Sequence, residues 1–566
     1  MDDKTNNELG EQNPNWQLVA DFLRTPDAFV GCGVPDLIET HISLVFLTKN
    51  YVYKLKKPVR FDFLDYSTLQ ARKYACEQEV QLNRRLAANV YLSVLPVKAS
   101  ESGALSIGGK GEPVEWLVKM RRLPQELILD RMLEAPNKAG LDLRKLAEIL
   151  TNFYRRAPSL NINAETYARH LSEHVQSNRH ELLRSEHGLP EALIKRIHGR
   201  QLQFIAFETH LLAQRVQEGH IVDGHGDLRP EHICLEADPV IFDCVEFSDE
   251  LRQVDTVDEL CFFAMECERL GVPEYGDTVI DHYAEAASDF APQQLIAFYK
   301  SYRACVRAKV AVLRALQSVG ADRENAKNLA LKYLAIADQG FGLASAPLCV
   351  ITRGIVGTGK STIAKQLAEL LGMDLLQTDD LRRRILLEVP SPGSYGAGIY
   401  RTERRREVYE LLFELASSKL SERISVILDA CFLTHDLQQS VHYLTEALEV
   451  PLVIINCECP SDTAVARIIA RSHDPSCLSD AKPQHFAQQN LEDEGILPGV
   501  ASIRVDTSKG TTQGQLRMIC AALRQVAFTK QKSDASLIAA SEIVTNVVAF
   551  SSTKMARSRS TMENKS

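Results

Sequence analysis

The run Gly354-Ile355-Val356-Gly357-Thr358-Gly359-Lys360-Ser361 constrains this chain more than any other feature. It comes after the short apolar stretch Leu348-Cys349-Val350-Ile351-Thr352 and precedes a helical stretch from Thr362 to Leu371. A glycine-rich turn in that context wraps main-chain N–H groups around phosphate oxygens, and the helix N-terminus adds its positive end. Lys360 is expected to reach the β- and γ-phosphates and Ser361 to hold Mg²⁺, with Gly354, Gly357, Thr358, Gly359 and Thr362 completing the cradle. Strand-like Ser425 to Leu428 and Leu452 to Asn456 then alternate with helical stretches, which predicts an α/β domain on a parallel sheet.

Residues downstream of the loop point to phosphoryl transfer. Asp379, in Gln377-Thr378-Asp379-Asp380-Leu381-Arg382-Arg383, can orient or deprotonate an acceptor hydroxyl, and Arg382 can grip an anionic part of that acceptor. A plain helix N-cap by Thr378 or Asp379 is compatible with the same residues. Asp429 ends the strand Val426-Ile427-Leu428-Asp429, where a metal-supporting carboxylate belongs. Arg467 and Arg471 are four apart on a helix and share a face, either closing over the transferring group or lying in a solvated ion-pairing surface. With these residues, Leu348 to Asp506 resembles the P-loop small-molecule kinases that include gluconate kinase, chloramphenicol phosphotransferase, zeta toxin and polynucleotide 5′-hydroxyl kinase. The resemblance implies that Asp379 is the base, that Lys360 and the arginines stabilise charge, and that Ser361 and Asp429 serve the metal. It also implies a lid at Arg467 to Ser472 and an acceptor-binding segment at Pro390 to Tyr400.

A second constellation lies in the N-terminal half, at His225-Gly226-Asp227-Leu228-Arg229-Pro230-Glu231-His232-Ile233 and Val240-Ile241-Phe242-Asp243. Asp227 in a tight loop is suited to take a hydroxyl proton, and His232 and Asp243 to hold Mg²⁺ beside the phosphates. A turn between two strands, using Asp for its turn chemistry, is the simpler alternative. These residues resemble the aminoglycoside phosphotransferase family, which implies a protein-kinase-like α+β fold. By that resemblance Lys54, on the second strand of a hairpin, pairs the α- and β-phosphates, and Glu79 anchors Lys54. Arg72, Cys76, Glu79 and Asn83 share one helical face, which favours Glu79 over Glu77. The chain departs from that family where His232 replaces an Asn and where Glu39 to Ser43 lacks glycine. Those departures keep open a domain that holds nucleotide without turning it over.

At 566 residues the chain is expected to form two domains. They are a protein-kinase-like domain over 16–339 and a P-loop domain over 348–529, joined by a linker at 340–347. Residues 1–15 and 530–566 read as tails, with a docking helix at Ala535 to Phe550. A net charge of −9 disfavours a dominant nucleic-acid-binding surface. Thirteen scattered cysteines without a Cys-x-x-Cys, and the lack of a signal peptide or a long apolar run, predict a cytoplasmic protein with no membrane span. The helix Gln293 to Leu316 carries Lys300, Arg303, Arg307 and Arg314, either a solvated basic face or the lining of a cleft for an anionic acceptor. The expected ligands are ATP or another NTP, Mg²⁺ and a small-molecule hydroxyl. The competing readings are a P-loop kinase regulated by an inactive N-terminal domain, and an NTP-driven switch protein with no acceptor.

Overall fold

The computed structural model describes residues 14–29, 31–61, 64–135, 140–340, 347–385, 402–471, 483–508, 510 and 512–529. The acceptor-binding segment, the docking helix at Ala535 to Phe550, Ser472 of the lid and most of the linker and tails lie outside these residues. The chain divides into two compact units, one of Met1–Tyr167 with Ala213–Arg307 and one of Ala168–Leu212 with Ala308–Ser566. The expected boundary at 340–347 does not coincide with that division.

In the N-terminal unit six strands form an antiparallel sheet in the order β1-β2-β3-β6-β4-β5. They are β1 (Asp36–Glu39), β2 (Ser43–Leu47), β3 (Tyr51–Lys56), β4 (Tyr91–Ala99), β5 (Leu105–Ile107) and β6 (Glu112–Arg121). The β1–β2 turn is closed by Thr40, whose hydroxyl accepts from the Ser43 amide at 2.9 Å, so this turn forms without glycine. Helix α1 (Leu69–Ala87) is capped by Thr68 and buries Cys76 and Val80 against Tyr91 and Val118. On another cluster Val19 and Leu23 pack with Leu44, Phe46, Leu55 and Leu117.

The remainder of this unit is mainly helical. Helix α2 (Thr256–Arg269) is buried along most of its length although it carries Asp258, Glu259 and Glu266. Buried charges need partners. Arg303 bonds Asp258 at 2.7 Å, and Arg307 bonds Glu266 at 3.1 Å. Lys300 pairs with Asp277 at 3.0 Å. Those three residues of the expected basic stripe are therefore each paired with a carboxylate, Lys300 at the surface, and Arg303 is buried rather than solvated.

The P-loop unit holds five parallel strands: β7 (Cys349–Arg353), β8 (Asp374–Gln377), β9 (Val426–Asp429), β10 (Leu452–Glu458) and β11 (Ala501–Asp506). Their order is β8-β9-β7-β10-β11. Alternation along β7 sends Val350 to one face, with Ile363, Leu367 and Ile455, and Cys349 and Ile351 to the other, with Leu412 and Leu428. Helices α3 (Lys360–Leu371), α4 (Thr378–Ile385), α5 (Thr402–Ser421), α6 (His435–Ala447), α7 (Ser461–Arg471) and α8 (Gln513–Thr529) connect or flank the strands.

The helix Glu191–Phe207 belongs to this unit as well, for reasons of packing and charge. Gly199 meets the end of α3 so closely that a Cβ on Gly372 would stand 2.9 Å from the Gly199 Cα. Lys195 bonds Asp374 at 3.1 Å, and Glu208 takes a two-point bond from Arg524.

Candidate functional site

The glycine-rich loop joins the central strand β7 to α3, at the end of the sheet where ligands of open α/β folds bind. Gly354, Gly357 and Gly359 all have positive φ. Gly357, at φ +86°, tolerates no side chain, because a Cβ there would lie 2.5 Å from the Ala464 carbonyl oxygen. Lys360 opens α3 and its ammonium donates to the Ile355 carbonyl at 2.9 Å, curled over the loop. Thr358 donates to the same carbonyl at 2.7 Å. Ser361 and Thr362 lie on the first turn of α3.

Three strands converge on Asp429. Its register partners are Thr352 on β7 and Gln377 on β8. Thr352 Oγ1 donates to one carboxylate oxygen at 2.8 Å and Gln377 Nε2 to the other at 2.7 Å. Each oxygen keeps a further lone pair, so an oxygen-rich group that suits a hard divalent ion stands beside the loop. The adjacent Thr378 hydroxyl donates to the Asp429 carbonyl at 3.3 Å, which ties the start of α4 to β9. Asp379 is half-buried on the first turn of α4 and accepts from Arg382 at 2.6 Å. Base candidate and acceptor-gripping candidate are thus paired with each other.

Arg467 lies beside the loop, and its position is set by Thr507. Its guanidinium donates to Thr507 Oγ1 at 3.1 Å and to the Thr507 carbonyl at 2.5 Å, while that hydroxyl donates to the Thr358 carbonyl at 2.7 Å. Arg471 is half-exposed one turn further along α7.

In the N-terminal unit Lys54 and Glu79 meet as expected, at 2.8 Å. Lys54 also bonds Asp243 at 3.1 Å. Burial opposes the lysine's charge, but Asp243 and Glu79 outweigh it and hold its pKa well above the ordinary value. Asp243 has φ +63°, a left-handed conformation uncommon outside glycine and of the kind that functional sites store. Burial would raise its pKa, yet Lys54 and His232 keep it below the usual carboxylate range. Glu77 instead pairs with Lys73 on the surface.

The Asp227 loop is built on Glu259, whose carboxylate accepts from the His225 and Gly226 amides at 2.8 and 2.5 Å and from Tyr154 at 2.9 Å. His225 is structural: its Nε2 bonds the Phe242 carbonyl at 3.0 Å. Arg229, 7 % exposed, bonds Asp227 Oδ2 at 2.6 Å and also pairs with Glu231. Burial would raise the Asp227 pKa, but Arg229 and His232 lower it. His232 places Nδ1 2.9 Å from the Asp227 carbonyl and Nε2 3.2 Å from Arg229 and 3.6 Å from Asp243. The nitrogen assigned to a metal is thus engaged by a guanidinium, and this donor set does not fit a divalent ion as it stands.

Sequence reasoning missed Lys56, Glu246, Glu259, Arg229 and Thr507 as supports of these sites. Lys56 is fully buried and bridges Glu79 at 2.7 Å and Glu246 at 2.5 Å, and Tyr66 donates to Glu246 at 3.0 Å. Alternation along β3 was the available signal: Lys54 and Lys56 share a face, so a lysine beside the first was visible in the sequence.

Residues 349–492 match the AAA_33 family, described as an AAA domain. A putative kinase from Chloroflexus aurantiacus is 22 % identical, covering 32 % of this chain and 98 % of that one at a TM-score of 0.26. The GDP complex of an aminoglycoside 2′-phosphotransferase-IIIa is 15 % identical, covering 57 % of this chain and 98 % of that one at a TM-score of 0.35. The C-terminal unit is a P-loop domain on a five-stranded parallel sheet, and the N-terminal unit is mixed α/β with a six-stranded antiparallel sheet. The Uncharacterized protein Rv2004c of Mycobacterium tuberculosis is 35 % identical over 448 residues, 77 % of this chain and 86 % of that protein, and this chain belongs to the same family.

Proposed function

We propose that this protein is an ATP-dependent phosphotransferase whose P-loop unit transfers a phosphoryl group to a small-molecule hydroxyl. The observation that carries the reading is the convergence on Asp429, which brings the glycine loop, a metal-supporting carboxylate and the start of α4 together at one end of the sheet's strands. A glycine cradle that a Cβ would fill supports a bound polyphosphate. Ser361 and Asp429 would hold Mg²⁺, which when bound neutralises phosphate charge.

In this reading Asp379 accepts the proton of the acceptor hydroxyl as its oxygen bonds the γ-phosphorus and the bond to the β-phosphate oxygen breaks, releasing ADP. Lys360 and Arg382 offset the charge on the phosphates, with Arg467 and Arg471 approaching from α7. An anionic group on the acceptor would compete with Asp379 for Arg382, which suits a phosphorylated or carboxylated alcohol. No described helix is long and apolar enough to cross a membrane.

A second reading has a specific observation behind it. His232, whose Nε2 lies 3.2 Å from Arg229 where the kinase-like reading needs a metal ligand, favours an N-terminal unit that binds nucleotide and regulates the P-loop unit without chemistry of its own. The test is untargeted: wild-type protein and Lys360→Ala, Asp379→Ala and Asp227→Ala variants are incubated with metabolite extract and Mg-ATP, and phosphorylated products are compared by mass spectrometry. Products lost with Lys360→Ala and Asp379→Ala support the proposal. A product lost only with Asp227→Ala would remove the regulatory reading. ATP hydrolysis with no phosphorylated product under any condition would favour a nucleotide switch.

A further inference from the structure

We infer that the P-loop unit carries a second anion site, for a phosphate group, on Arg196, Arg200 and Arg423 around Asp338. The site lies apart from the glycine loop. Arg423 stands just before β9, and β9 meets the loop only at its other end, through Asp429.

The charges there do not balance. Arg196 grips Asp338 with two bonds, at 2.9 and 2.7 Å, and Arg200 Nη1 reaches the same carboxylate at 3.2 Å. Arg423 acts on Asp338 as a third cation. One carboxylate therefore faces three guanidiniums, an excess of two positive charges. The flanking cations Arg179, Lys195 and Lys419 match Asp374, Glu191 and Glu422 one for one, so the flank does not cancel that excess.

Arg200 registers the imbalance. Burial opposes its charge, Asp338 is its one attraction, and Arg423 and Arg196 repel it, so its pKa falls to about 10. Among the described residues Arg200 makes only the bond from Nη1, which leaves Nε and Nη2 as donors, and neither nitrogen is sealed from solvent.

Arg423 is held in place at a conformational cost. It has φ +61° at the end of α5, where its amide bonds the Leu420 carbonyl at 2.9 Å and the Ile424 amide bonds the Lys419 carbonyl at 3.0 Å. That left-handed helix end is a position glycine fills most cheaply, so an arginine there is explained by what its side chain does. A phosphate ester carries about −1.5 to −2 charges at neutral pH and has oxygens enough for several forked guanidinium bonds. It matches the excess, whereas a single carboxylate would leave one positive charge over.

The test uses the full chain carrying Lys360→Ala, which weakens phosphate binding at the glycine loop. This protein is titrated by calorimetry with inorganic phosphate and with glycerol 3-phosphate, in chloride at constant ionic strength. Adding Arg200→Gln or Arg423→Gly is expected to weaken binding at least about tenfold. In chloride alone Arg423→Gly should melt no lower than its parent, because it relieves the left-handed strain and a like-charge contact. Tighter binding of the ester would identify a phosphorylated metabolite as the ligand, and equal binding the free ion. Binding that is absent from the parent, or unchanged in both variants, overturns the inference. So does an Arg423→Gly protein that melts lower than its parent in chloride, which would assign the arginine to packing.

Discussion

Thr352 and Asp429 stand opposite each other on neighbouring parallel strands, and the threonine hydroxyl donates to the carboxylate at 2.8 Å. Gln377 holds the other oxygen from the far side. A buried carboxylate so clamped is aimed, with little freedom to turn away from a ligand. Thr352→Val keeps the shape and removes a donor, and its expected cost is about 1–3 kcal/mol of stability. Asp429→Asn keeps much of the packing and removes the charge. Its expected result is a melting temperature near wild type with Mg-ATP affinity at the P-loop reduced at least about tenfold, read by calorimetry.

Two glycines separate phosphate binding from packing. Gly357→Ala drives a methyl group to within 2.5 Å of the Ala464 carbonyl oxygen in the loop itself. Gly372→Ala drives one onto the backbone of Gly199 at the opposite end of α3, at φ +62°. Both should destabilise the P-loop unit by about 1–3 kcal/mol. Only Gly357→Ala should abolish ATP affinity in protein that is still folded, as judged by circular dichroism before titration. Equal loss of affinity in both variants would contradict this division.

Lys54 and Lys56 share Glu79 but should fail differently. Lys56→Met leaves Glu79 and Glu246 buried around an uncharged side chain, and breaking a buried ion pair in this way costs about 3–5 kcal/mol. Lys54→Met sits at the more open edge of the network, and its expected main effect is weaker nucleotide binding at the N-terminal site. Urea unfolding and ATP titration of the two variants check the contrast. A Lys56→Met protein as stable as wild type would show that the network contributes no stability.

Acid should loosen both units. Burial lowers the pKa of His225 to about 3 and that of His198 to about 4. Both folded-state values lie below the roughly 6.5 of an unfolded histidine, so the unfolded chain takes up protons first as pH falls. Their stabilising contribution is complete above about pH 6.5 and is lost as pH drops towards the folded values, at about 1.4 kcal/mol per pH unit for each histidine. The lowered Asp227 pKa adds a loss in the same direction at pH below about 4. Unfolding free energies measured at pH 7 and pH 5 should show the decline, and His198→Gln should reduce its slope in the P-loop unit. A flat profile over that interval would count against the neutral buried histidines.

Local patterns carried a large part of this protein. The glycine loop, its strand and its helix are contiguous in the chain, so the physics that shapes them is short-range and readable. Glu79 was separable from Glu77 because 3.6-residue periodicity places it with Arg72, Cys76 and Asn83, all four of which are buried. The acceptor segment was legible only as a place, since its composition names no partner.

Other features appeared only once distant segments were folded together. Arg229 is two residues from Asp227 in the chain, but its meaning depends on His232 and Asp243 gathering around it. Glu259 supports a loop 33 residues away, and Lys56 joins Glu246 across 190 residues. Arg467 was visible as a helical arginine, while its hold on Thr507 depends on the end of β11. The assignment of residues 168–212 to the P-loop unit is of the same kind. Strand and helix periods and glycine turns are set by neighbouring residues, so the sequence alone determined them. Which buried charge finds which partner is set by long-range packing in a medium of low dielectric, and only the tertiary structure decided it.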